Sequence, residues 1–96
     1  MEHFVRPLAE NARILVEWEG RPLERYAVML QVHIEGTWQT IHLLDNAHGQ
    51  HDVHRYTGSE KQPAERFADG SARKVIPQAI AYLISNWESI ARSWQP

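Results

Sequence analysis

Three of the six histidines and two of the three aspartates of this 96-residue chain fall within one stretch, Asp45-Asn46-Ala47-His48-Gly49-Gln50-His51-Asp52-Val53-His54-Arg55-Tyr56. Imidazole has an ordinary pKa close to neutrality, so neighbouring histidines are natural general acid and base candidates. An Arg can stabilise a pentavalent phosphate or an oxyanion, and a Tyr can donate a proton or stack on a base. His48, His51, His54, Arg55 and Tyr56 would together suffice for metal-independent cleavage of RNA. In that reaction one group deprotonates the ribose 2′-hydroxyl while another protonates the leaving oxygen.

Two other readings of the segment stand beside this one. His48 and His51, with Asp52 or His54, offer nitrogen and oxygen ligands for zinc, nickel or manganese. Their spacing matches no zinc motif, and short gaps on an extended chain point side chains to different faces, so no metal or other cofactor is assigned. In the structural reading, Asp45, Asn46 and Gly49 form a turn scaffold: Asp and Asn at a strand end bond backbone N–H groups, and Gly lets the chain reverse. Asp45 would then help to hold Tyr26.

Candidates elsewhere are sparser. His33 and His42 are expected side by side on one sheet face. Trp38 and Trp94 are candidate partner-binding residues, Trp94 because it lies near a terminus on an apolar helix face. The sequence carries no phosphate-binding Gly loop, no Ser in a nucleophile elbow and no zinc-finger pattern.

The elements that must position these residues follow from periodicity. Residues 1–11 show no clear period, are interrupted by Pro7, and read as an N-terminal arm. From Ala12 to Glu19, Ile14, Val16 and Trp18 alternate with Arg13, Glu17 and Glu19, as in a half-buried strand. Gly20-Arg21-Pro22 turns the chain. Leu23 to Ile34 is a longer strand with Tyr26, Val28, Leu30, Val32 and Ile34 on one face. Glu35-Gly36 suits a two-residue hairpin turn, which leads into a strand from Thr37 to Asp45. That turn pairs Ile34 with Thr37, Leu30 with Ile41, Val28 with Leu43 and Tyr26 with Asp45, leaving Trp38 and His42 on the opposite face. Asn46 to Gln50 reads as a turn and His51 to Thr57 as a fourth, edge strand. Residues 58–70 read as a surface loop anchored by Phe67.

The last element is a helix over 71–95, because Ile76, Ile80, Leu83, Ile84, Trp87, Ile90, Ala91 and Trp94 follow three-and-four spacing. Ser71 or Asp69 would cap it, with Pro77 near its first turn. The expected fold is a single α+β domain over 1–96: an antiparallel meander of three to four strands over 12–57, packed on one face by the C-terminal helix.

Composition sets the outer limits. A chain of this length builds one core and two layers, which excludes an enzyme with separate cofactor and substrate domains. The formal net charge of −2 gives no global pull towards nucleic acid or anionic membrane, so any RNA contact must come from a local patch. Without cysteine there are no disulfides, thiolate zinc sites or Cys nucleophile. No signal-like N-terminus and no membrane-spanning apolar run are expected, and the expected location is cytoplasmic. Edge strands and an exposed helix end are compatible with a homodimer.

Asp45-Asn46-Ala47-His48, followed by His51 and His54, resembles the TumE-like toxins of bacterial toxin–antitoxin pairs. In that family a strand ends in an aspartate–asparagine–alanine run, a histidine-rich segment follows, and a C-terminal helix completes the domain. The resemblance spans roughly Leu23 to Trp87 and carries over to those six residues. The segment departs from the family pattern in lacking its proline and paired histidines, and in having Leu44 where an aromatic precedes the aspartate. The resemblance implies growth inhibition through RNA, with a helix-turn-helix antitoxin as partner. The rival expectation is a non-catalytic protein-binding module or homodimeric interaction protein.

Overall fold

The computed structural model describes residues 1–94, so the end of the expected helix at residue 95 lies outside the described residues. The chain runs β1 (Glu2–Ala9), β2 (Ala12–Glu19), β3 (Arg25–Ile34), β4 (Thr37–Asp45), β5 (His51–Thr57), β6 (Glu60–Lys61), β7 (Glu65–Ala68) and α1 (Ala72–Ser93). The strands form one antiparallel sheet in the order β1-β2-β3-β4-β5-β6, with β7 also paired to β5. The α+β class with a helix on one face of a meander is as expected, but the sheet has more strands than the sequence suggested. No helix of the described residues is long and apolar enough to cross a membrane.

The core forms where alternation is cleanest. Ile14 and Val16 from β2, and Tyr26, Val28, Leu30 and Val32 from β3, share one sheet face with Ile41 and Leu44 of β4. Against them α1 lays Val75, Ala79 and Leu83, each wholly removed from solvent. Each fully buried Leu or Val contributes about 1.5–3 kcal/mol relative to exposure. Ile76, Ile80, Trp87, Ile90, Ala91 and Trp94 flank this row half-buried, whereas Ile84, expected on the same face, is 39% exposed. The buried stripe therefore sits slightly to one side of the expected one.

The N-terminal arm is a strand. β1 pairs with β2 from Glu2 opposite Trp18 to Ala9 opposite Ala12, with a bulge between Pro7 and Ala9. Its position at the sheet edge tolerates a proline that lacks an N–H. Because β1 is exposed on both faces, its sequence shows no period. Residues 58–70 are also not simply a loop, since they contain β6 and β7. β5 is consequently flanked on both sides and is not the edge strand expected. Phe67 does anchor the segment, packing edge-on against Tyr82 at 5.4 Å between ring centroids.

Two turns require particular backbone geometry. Glu35 and Gly36 have φ of 50° and 79°, the paired positive values of a two-residue hairpin turn. Gly20 has φ of 103°, and a Cβ there would stand 2.8 Å from the Pro22 carbonyl oxygen. Pro77 lies in the second helical turn, later than expected, where it forfeits the bond that its N–H would have made. Ser71 precedes the helix and caps it through its backbone: its carbonyl accepts from Lys74 and Val75 N–H, with no side-chain cap bond.

The β3–β4 register corrects the expected one at a single place. Pairing runs as expected from Ile34–Thr37 to Gln31–Thr40, and then a bulge inserts Ile41, so that Leu30 faces His42 and Val28 faces Leu44. Asp45 therefore pairs with Ala27 and not with Tyr26. Trp38 and His33 are neighbours as expected, with ring centroids 4.9 Å apart. His42, by contrast, moves to the helix side, where its ring faces Tyr82 of α1.

Candidate functional site

The turn at 46–50 folds β5 back along β4, setting Asp52 opposite Asp45, Val53 opposite Leu44, His54 opposite Leu43 and Arg55 opposite His42. Strand alternation then divides the histidine-rich segment. His51, Val53 and Arg55 lie on the side that carries the helix, while Asp52, His54 and Tyr56 alternate to the other. His48 projects from the exposed turn. The five residues expected to act together on RNA are thus not brought together.

His51 is held at both ring nitrogens. Its Nε2 lies 2.6 Å from the Gly70 carbonyl, which can only accept, so Nε2 carries the proton. Nδ1 then accepts from the Tyr26 hydroxyl at 2.7 Å. Burial, reinforced by Asp45 and then Asp52, pushes the Tyr26 phenol up to about 12, which keeps it a donor. This bonding leaves His51 no free lone pair for proton transfer, and it ties β5 to β3 and to the start of α1.

Asn46 does what was expected of a scaffold residue. Its side-chain oxygen accepts the Tyr26 N–H at 3.0 Å, and its amide donates to the Glu24 carbonyl at 2.7 Å. Gly49, with φ of 82°, completes the turn and donates its N–H to Asn46 O. Asp45 does not share this role. Its carboxylate is buried beside His54, with Oδ1 3.7 Å from Nε2, and Asp52 completes a group of three. The metal set read from sequence is accordingly revised: His48 and His51 drop out, and Asp45 joins Asp52 and His54.

A groove of ≈ 800 Å³ runs between the end of β5, the segment that follows it, and the C-terminal half of α1. His42, Arg55, Tyr56, Gln62, Tyr82 and Trp94 are among its lining residues. Burial, and then the neighbouring Arg55 charge, lower the His42 pKa to about 4, so this imidazole is neutral at physiological pH. Its Nε2 meets the Tyr82 hydroxyl at 3.3 Å, and its buried Nδ1 has no partner. Burial, and then Asp45, also raise the Tyr56 phenol.

Trp94, expected to reach towards a partner, turns back on its own chain and donates its indole N–H to the Gly58 carbonyl at 3.0 Å. Trp38 is likewise engaged locally, with the Arg13 guanidinium 4.1 Å above its ring. Sequence reasoning missed His42 and Tyr82 as a facing pair. The only signal for it is that Tyr82 directly precedes the buried Leu83, and without the bulge His42 is assigned to the wrong face.

A family model, Domain of unknown function (DUF7718), matches residues 1–95, and the chain belongs to that family. No curated protein and no solved structure matches it significantly.

Proposed function

We propose that this protein acts on RNA in the cytoplasm as the toxin of a toxin–antitoxin module, and that it holds a single strand in the groove between β5 and α1. The observation that carries the reading is the exposed Arg55 set beside Tyr82 and Trp94 in one groove, with a neutral His42 in its wall. A ribonucleotide needs a cation for its phosphate, flat side chains for its base and hydrogen-bonding groups for its edges. Arg55 suits the first, Tyr82 and Trp94 the second, and the side-chain amide oxygens of Gln62 and Asn86 the third. A helix-turn-helix antitoxin is the partner this reading implies.

Recognition is better supported than cleavage. His42 is the histidine that lines the groove, and an imidazole with a pKa near 4 is a weak base at neutral pH. His54 is buried and His51 fully bonded, so the metal-independent mechanism built on His48, His51 and His54 draws no support from their placement. That dispersal favours a second reading, a protein-binding module without catalysis. Fluorescence anisotropy with a labelled single-stranded RNA separates the two. RNA binding by the wild type, weakened by about tenfold or more in Arg55→Glu, supports the first; no RNA binding, with capture of a defined antitoxin intact, supports the second.

A further inference from the structure

We infer that Asp45, Asp52 and His54 form a binding site for a single divalent transition-metal ion, with zinc the best chemical fit. All three are more than nine-tenths buried, at 8%, 8% and 5% exposure. One donor atom from each lies within 4.8 Å of the other two. They come from directly paired positions, Asp45 opposite Asp52 and His54 two residues further along β5, so the strand ladder itself fixes their spacing.

The unpartnered atoms point to an ion. His54 Nδ1 lies 3.0 Å from the Gln62 carbonyl, which can only accept, so Nδ1 carries a proton. In the neutral ring Nε2 is then a bare lone pair, and it is aimed at Asp45 Oδ1 3.7 Å away. Both atoms are buried without a hydrogen-bond partner. Two buried acceptors facing each other repel, and a proton or a cation between them relieves that repulsion.

A proton on Nε2 is one candidate, but a charge-assisted N–H···O bond closes to about 2.7–2.9 Å. Two donors bound about 2.1 Å from one zinc at a tetrahedral angle stand about 3.4 Å apart, which is nearer to the spacing seen. Histidine ligands commonly donate their second ring N–H to a backbone carbonyl, as His54 does to Gln62. Among the described residues no Lys or Arg forms an ion pair with Asp45 or Asp52; Arg66, opposite Asp52 on β7, bonds Asp69 instead. One imidazole and two carboxylates suit a borderline divalent cation, and they leave further coordination positions for water. Placed there, the ion joins the end of β4 to β5 and, through His54, to the Gln62 segment. Its ligands need no RNA to hold it.

The test uses untagged wild-type protein stripped with a chelator and titrated with Zn²⁺, and separately with Mn²⁺, by calorimetry. The histidine ring nitrogens are followed in parallel by ¹⁵N NMR. The expected result is one saturable ion per chain, a His54 Nε2 resonance that moves to the metal-bound position, and affinity weakened by about tenfold or more in Asp45→Asn. If Asp45→Asn does not fold, Asp52→Asn and the wild-type NMR decide. The inference is overturned if neither ion binds stoichiometrically, if His48 or another histidine takes the ion, or if the His54 Nε2 resonance does not move in excess metal.

Discussion

Acidification from pH 7 to pH 4 should remove stability that His42 contributes by staying neutral in the folded chain. Its side chain is buried on the helix side of β4, with the Arg55 charge beside it and the Tyr82 hydroxyl above. Burial and then Arg55 depress its folded pKa from 6.5 to about 4. Unfolded, His42 takes up a proton as the pH drops below 6.5, while folded it resists until about 4. Its contribution is therefore fully present above 6.5 and is lost as the pH falls through that window. The loss is about 2 kcal/mol by pH 5 and about 3 kcal/mol by pH 4, a large part of the roughly 5–15 kcal/mol that holds a small domain together. Urea unfolding of the wild type and of His42→Gln at pH 7, 6, 5 and 4.5 isolates this contribution, because carboxylates titrate alike in both. The wild-type curve should fall more steeply, so that the two converge or cross towards pH 4.5. Parallel curves would refute the buried neutral imidazole.

Two pairs of substitutions test the fold that holds the site. Leu83→Ala, at the centre of the helix–sheet contact, should cost about 2–5 kcal/mol, whereas Ile84→Ala, one residue on and 39% exposed, should cost less than about 1 kcal/mol in the same denaturation assay. Asn46→Ala strips the Tyr26 N–H of its acceptor and the Glu24 carbonyl of its donor and should cost about 1–3 kcal/mol. His48→Ala, in the same turn, should stay within about 0.5 kcal/mol of wild type.

The parts of the fold legible in the sequence are those where burial is one-sided. β2 and β3 alternate because one face meets the helix, and α1 repeats every three or four residues because one stripe meets the sheet. β1 left no such trace, since both its faces are exposed and Pro7 reads as a break. The bulge at Ile41 was invisible for the opposite reason. Ile41, His42, Leu43, Leu44 and Asp45 are all buried, so a one-residue insertion changes no polar–apolar pattern that a reader could detect. That insertion turned His42 towards α1 and set Asp45 opposite Ala27. The segment from Asp45 to Tyr56 stands out by its residue types, but residue types alone do not show which of them share a face. Pairing of β4 with β5 divides it into a structural His51, a buried Asp45–Asp52–His54 group and an Arg55 that serves the groove.

The central claim, that RNA is held in the groove and not on the histidine segment, is tested most directly by NMR chemical-shift mapping of a single-stranded RNA titration. Binding in the groove should give saturable shifts at the Trp94 indole N–H, Arg55 and the His42 ring, with the His48 and His51 signals unmoved. Shifts centred on His48 and the 46–50 turn, with Arg55 and Trp94 silent, would contradict it.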